Sequence, residues 1–143
     1  MLQARLPAVG LRLSATGERE RADGLWRHTC LELFLAQAGS PGYREFNFSP
    51  SGSWAAWDFS AYRVRSETLP TMSAPSIKLT NEGTVLAFEV RLNATALHGY
   101  ATPCAAAITA VLEAEDGSLS YWACAHPAAK PDFHARAGFM LTI

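Results

Sequence analysis

The sequence predicts an all-β domain built as an antiparallel β-sandwich. Three observations carry this: apolar and polar residues alternate with period two, turn clusters recur roughly every eight to twelve residues, and no long segment repeats with helical period. A chain of 143 residues with 49% apolar and 17% charged side chains makes one packed domain over 1–143.

The stretch Leu2 to Leu13 holds only the end of an opening strand. A sandwich needs a partner strand there, so the start reads as shortened or completed by another chain. Glu18-Arg19-Glu20-Arg21 is a dense charge cluster and is expected in a solvated loop. Cys30 to Leu35 follows as a strand, with Leu31, Leu33 and Leu35 on one face and Cys30, Glu32 and Phe34 on the other. Ala38-Gly39-Ser40-Pro41-Gly42 turns the chain into Tyr43 to Phe48, where Phe46 and Phe48 oppose Glu45 and Asn47, completing a hairpin. Ser49-Pro50-Ser51-Gly52 turns again into Ser53 to Phe59.

Val64 to Pro75, rich in Ser, Thr and Pro, is expected as a long loop. Ser76 to Thr80 and Thr84 to Leu92 flank Asn81-Glu82-Gly83 as a second hairpin. Leu92 to Leu97 predicts one helical turn, a short helix near 92–98, before a surface loop carrying His98. Ala105 to Glu113 reads as strand or buried helix, and the Asp116-Gly117 turn favours strand there and over Leu119 to Ala125. Phe139 to Ile143 closes the chain as a short strand.

Charge and hydropathy exclude several functions. Twelve basic residues against thirteen acidic leave a formal charge of -1, so no nucleic-acid or anionic-membrane footprint is expected. No apolar run reaches membrane-spanning length. The N-terminus has no signal-peptide pattern, which points to a cytoplasmic chain. Cys30, Cys104 and Cys124 include no C-x-x-C pair; Cys30 and Cys124 lie in strand-like apolar runs, as buried thiols or as an inter-sheet disulfide.

Catalytic signatures are few. Ser49, Ser51 and Ser53 lie at a turn without a G-x-S-x-G elbow, and no glycine-rich phosphate loop occurs. Glu32 among leucines is more telling, because a carboxylate in an apolar strand needs a partner or an opening to solvent. Either a pocket or an ion pair with Arg27, Arg44 or Arg63 satisfies it. Trp26, Trp54, Trp57 and Trp122 are each core packing or a plate for a ligand ring. A second cluster, His126, Lys130, Asp132 and His134, with His28 as a neighbour through Trp26, suits hydrogen bonding, ligand binding, or a metal or acid–base site. Pro127 and Pro131 make that segment an irregular loop.

Leu25-Trp26-Arg27-His28-Thr29-Cys30-Leu31-Glu32 and Tyr43-Arg44-Glu45-Phe46-Asn47-Phe48-Ser49-Pro50-Ser51-Gly52 resemble the DOMON-like and family 9 carbohydrate-binding-module superfamily. Tyr121-Trp122-Ala123-Cys124-Ala125-His126-Pro127 and Lys130-Pro131-Asp132-Phe133-His134 resemble the tail of a bacterial DOMON-like group. The resemblance implies a jelly-roll-like or immunoglobulin-like sandwich that binds sugars in some branches and haem in others. It implies that Trp26 and Trp122 stack on a sugar. Glu32, Glu45 and Asn47 then bond its hydroxyls, Glu45 departing from the family in residue type; His126 and His134 are expected, on our own reading, to line the rim.

The expected function is therefore a non-catalytic ligand-binding module for a carbohydrate or related polar small molecule. The alternatives are a haem-binding electron-transfer module using Met140 or His134, and a small metal-dependent enzyme using His126, Asp132 and His134. A homodimer through an open sheet edge is a further expectation. No catalytic residue, metal ligand or resident cofactor is assigned.

Overall fold

The computed structural model describes residues 1–15, 17 and 19–143. Its strands are β1 (Leu2–Pro7), β2 (Cys30–Ala36), β3 (Tyr43–Phe48), β4 (Trp54–Ala61), β5 (Val64–Arg65), β6 (Ser76–Asn81), β7 (Val85–Arg91), β8 (Ala105–Glu113), β9 (Leu119–Ala123) and β10 (Leu141–Thr142). Two antiparallel sheets pack face to face as a β-sandwich, one ordered β1-β7-β6 and the other β10-β8-β2-β3-β4-β5, with β9 also paired to β8.

Strand alternation builds the layer between the sheets. Leu31, Leu33 and Leu35 from β2 and Phe46 and Phe48 from β3 meet Leu86, Phe88 and Val90 from β7, with Leu2 and Leu6 from β1. Each such side chain contributes about 1.5–3 kcal/mol on leaving water. Trp54 belongs to this core.

The larger sheet is buried on both faces at its centre, and every residue of β2 and β3 is buried. Its outer face carries a second apolar cluster, Phe34, Ala36, Tyr43, Phe59, Ala107 and Phe139, with Trp57 and Phe133 packed against it. The segment from 124 to 140 supplies Phe133 and Phe139, so it covers part of that face. This cover is what turns a sheet face into a hollow.

The expected loop over Val64 to Pro75 begins with the short strand β5, whose hairpin with β4 turns through Arg63. Arg63 has φ 57, a left-handed conformation uncommon for a residue with a Cβ. The opening segment forms a six-residue strand that pairs with β7 along its whole length. The turn near 92–98 is a single 3-10 turn over Ala94–Leu97, capped by the Asn93 side chain accepting the Thr95 N–H.

Two expectations are corrected. Arg21 is not a freely solvated charge: it bridges to Trp54, sets its guanidinium 4.8 Å from the Trp54 ring centroid, and donates to the Pro70 carbonyl at 3.0 Å. Glu18 of the same cluster lies outside the described residues. The thiols are all free, and Cys124 is exposed just after β9 while Cys30 is buried, so no Cys30–Cys124 disulfide forms.

Candidate functional site: an aromatic cavity over a pair of buried acids

Strand register decides which side chains share the outer face of the larger sheet. Glu32 pairs with Asn47 across β2 and β3 and with Thr109 across β8, while Phe34 pairs with Glu45. Side chains alternate along each strand, so Glu32, Glu45, Asn47 and Thr109 all lie on that face. Arg44, one residue away, lies on the other, and this separates it from Glu32.

A cavity of about 360 Å³ opens there. Glu32, Glu45 and Val111 lie on the sheet side; Trp26, Phe59, Tyr121, Pro131, Phe133 and His134 form walls, and Arg63, Arg65 and Asp132 complete the lining. Trp26 enters from the 3-10 turn Leu25–Arg27. Gly24 starts that turn at φ 75, a conformation glycine adopts without strain, and its N–H donates to Asp23 Oδ1 at 2.7 Å.

Glu32 is 3% exposed, and no ion pair engages it among the described residues. Of its three expected partners, Arg44 bonds Asp58, Arg63 bonds Asp132, and Arg27 is exposed on the turn. The Thr109 hydroxyl donates to Glu32 Oε2 at 3.2 Å. Burial, then the neighbouring Glu45, push its carboxyl from the ordinary 4.5 up to about 8, against the pull of Thr109. Glu32 is a neutral acid at pH 7.

Glu45 is 5% exposed and also raised by burial, but its environment favours the anion more. Asn47 Nδ2 donates to its Oε1 at 2.7 Å, and Arg65 and Arg63 pull in the same direction. His134 Nε2 faces its Oε2 at 3.8 Å. The two acids therefore differ in their partners: burial raises both, but Glu32 has one donor, Thr109, while Glu45 has Asn47 with Arg65 and Arg63 nearby.

His134 packs edge-on against Phe34, Tyr43 and Phe59, with ring centroids 5.4, 5.8 and 5.1 Å away. Burial, then the nearby Arg63, push its imidazole down to about 4, so it is uncharged at neutral pH. Asp132 accepts from Tyr62 Oη at 2.6 Å and Arg63 Nη2 at 2.8 Å, which hold its carboxyl below the ordinary range against the opposing effect of burial. The Arg65 guanidinium lies 3.9 Å from the Trp57 ring centroid and 5.8 Å from that of Trp26.

The structure thus brings Trp26, Glu32, Glu45 and His134 to one cavity. Asn47 is fully buried behind it, donating to Glu45 and accepting from the Cys30 thiol at 3.5 Å, so it orients Glu45 without lining the hollow. Trp122 and His126 are placed elsewhere. Trp122 pairs with Ala110, whose side chain is on the core side of β8, and it is 60% exposed with its Nε1–H on Ser120. Tyr121, with the opposite parity, takes the cavity position. His126 is exposed, 6.2 Å from the Phe133 ring centroid.

The His126, Asp132, His134 constellation does not assemble. Asp132 is turned to Tyr62 and Arg63, and His134 to Tyr43 and Glu45; among the described residues no three His, Cys, Asp or Glu side chains group as metal ligands. His28 instead contacts Glu113 Oε2 at 2.7 Å, beside Arg12 at 3.1 Å from Oε1. No methionine joins His134 at the cavity: Met72 packs against the inter-sheet core and Met140 is 64% exposed.

Sequence reasoning did not single out Phe59, Arg65, Val111, Tyr121 and Phe133 as lining. For Tyr121 half of the signal was local: the Asp116-Gly117 turn sets Glu113 opposite Leu119 and Tyr121 opposite Val111, but placing Val111 on the Glu32 face takes the β2–β8 pairing. A second hollow of about 320 Å³ is lined by Arg44, Asp58 and Tyr100, but Arg44 already donates to both Asp58 oxygens and to the carbonyls of Ala96 and His98.

No family model matches the chain, and no curated protein matches it. Among solved structures it is similar to a putative carbohydrate-binding protein from Bacteroides uniformis ATCC 8492, with a TM-score of 0.62 and 15% identity over 95% of this chain and 68% of that one. At that identity the likeness shows the fold. No helix among the described residues is long and apolar enough to cross a membrane.

Proposed function

We propose that this cavity is a non-catalytic binding site for a carbohydrate or a closely related polar small molecule. The observation that carries the reading is the juxtaposition of Trp26 with an unpaired, buried Glu32 in an open hollow of about 360 Å³, within the size range of small-ligand pockets. A sugar presents an apolar ring face beside hydroxyl pairs. The indole suits the first, and a neutral carboxyl suits the second because it both donates and accepts.

In this reading Trp26 is the stacking plate, Glu32 and Glu45 bond hydroxyls, and Tyr121, Phe59 and Phe133 exclude water around the ring. Arg63 and Arg65 lie with the lining as further donors. The fold shared with a putative carbohydrate-binding protein supports the same class of ligand, as does the resemblance of the Trp26–Glu32 segment to DOMON-like and family 9 carbohydrate-binding modules. Calorimetric titration of a glycan panel tests it. The expected result is saturable heat with at least one saccharide, weakened in Trp26→Ala; a folded protein that binds no saccharide contradicts it.

A further inference from the structure

We propose that the floor of the cavity is a subsite for a protonated amine. On the carbohydrate reading above, which this inference extends, the ligand class is then the amino sugars.

The floor holds two carboxyl groups with few partners. Glu32 is nine-tenths buried and lines the cavity, yet the described residues offer it one bond, from Thr109 to Oε2, and leave Oε1 without a partner. Glu45 has Asn47 on Oε1 and only a 3.8 Å approach from His134 to Oε2. His134 is uncharged at neutral pH, so it supplies no counter-charge. The cations in the lining are matched by acids of their own: Arg63 is paired with Asp132 at 2.8 Å and Arg65 with Asp23 at 3.3 Å. The arginines are balanced pair by pair, and among the described residues Glu45 beneath them has no ion-pair contact closer than that 3.8 Å approach of His134.

An ammonium supplies what is missing. It carries three donors and one positive charge, and hydrogen bonds to a charged partner are stronger than those between neutral groups. The walls suit it as well, because indole and phenyl faces attract cations. The protein itself uses the Trp57 face this way, holding the Arg65 guanidinium 3.9 Å from its centroid. A neutral hydroxyl in the same place supplies one donor and no charge.

Proton balance follows from the same geometry. Glu32 keeps its proton because it is buried beside Glu45 with Thr109 as its one donor among the described residues. An ammonium between the two acids favours both carboxylates, so the Glu32 proton passes to the buffer as the ligand binds.

Isothermal titration at pH 7 tests this, with glucosamine against glucose and galactosamine against galactose, each in two buffers of different ionisation enthalpy. The amino sugar of at least one pair is expected to bind about tenfold more tightly than its parent and to release protons. In Glu32→Gln, and independently in Glu45→Gln, that ratio falls toward one. Parent sugars that bind as tightly as the amines, without proton release, overturn the amine subsite and leave the carbohydrate reading standing. Methylammonium or putrescine binding where no sugar of either kind binds overturns the carbohydrate reading and supports the subsite. No heat with any of these probes overturns both.

Discussion

Tyr43 Oη lies 2.7 Å from His134 Nδ1 and also accepts the Arg63 backbone N–H at 3.0 Å. Among the described residues the Tyr43 hydroxyl has no other acceptor for its hydrogen, so it donates to Nδ1. That leaves the His134 proton on Nε2, the nitrogen facing Glu45. One phenol thus sets the tautomer of an imidazole that in turn presents a donor to a buried carboxylate, and the hairpin turn at Arg63 holds the phenol.

Nitrogen NMR of His134 is expected to show the Nε2–H tautomer, with titration at about pH 4. Tyr43→Phe removes the donor, mixes the tautomers and costs about 1 kcal/mol in stability. A spectrum with the proton on Nδ1 contradicts the assignment.

Glu32 makes stability fall as pH rises. Its carboxyl is raised from 4.5 to about 8, so between those values the folded state binds more protons than the unfolded one. Its contribution is intact below pH 4.5 and is lost on the way to pH 8. His134 has the opposite sign: its imidazole is lowered from 6.5 to about 4, so its contribution is present above 6.5 and lost as pH falls through 4. The decline between pH 6.5 and 8 therefore reports the buried acids, to which Glu32 contributes up to about 1.4 kcal/mol per pH unit and the raised Glu45 adds with the same sign. Denaturant melts of Glu32→Gln are expected to flatten it; an unchanged slope contradicts the burial of an unpaired acid.

Arg44 ties two parts of the sandwich together. It is 6% exposed, bonds both Asp58 oxygens at 2.7 and 2.8 Å, and reaches the carbonyls of Ala96 and His98 in the β7–β8 connection. Arg44→Ala leaves a partly buried carboxylate and two carbonyls without their donor, and is expected to cost about 3–5 kcal/mol by chemical denaturation. Arg44→Lys keeps the charge but not the bidentate fork, and falls between the two.

The two tryptophans that sequence reasoning gave the same role are expected to separate. Trp26→Ala weakens saccharide binding about tenfold or more, read by calorimetry. Trp122→Ala leaves it unchanged, because that indole is on the other face of the sheet. Equal effects of the two substitutions contradict the location of the site.

The contrast between them shows what was legible in the sequence. Local alternation and turn residues located both hairpins, the strand pair around Asp116-Gly117 and the faces of β2 and β3, so Glu32, Glu45 and Asn47 were correctly grouped on one face. Which strand lies beside β2 on its other edge was not legible, since the β2–β8 pairing joins residues such as Glu32 and Thr109 that are far apart in sequence. Without that pairing the parity of β9 could not be referred to Glu32, and Trp122 rather than Tyr121 drew attention. Tertiary contacts also decided the ion pairs. Arg44 and Arg63 were open candidates for Glu32 until the fold gave each a different acid, Asp58 and Asp132.

The most direct test is heteronuclear NMR with the indole nitrogen of Trp26 and the carboxyl carbon of Glu32 observed while a saccharide that gives calorimetric heat is added. Both signals are expected to move together along one saturation curve, with the Trp122 indole unmoved. Saturation that shifts Trp122 and leaves Trp26 and Glu32 where they were would place the ligand elsewhere on the molecule.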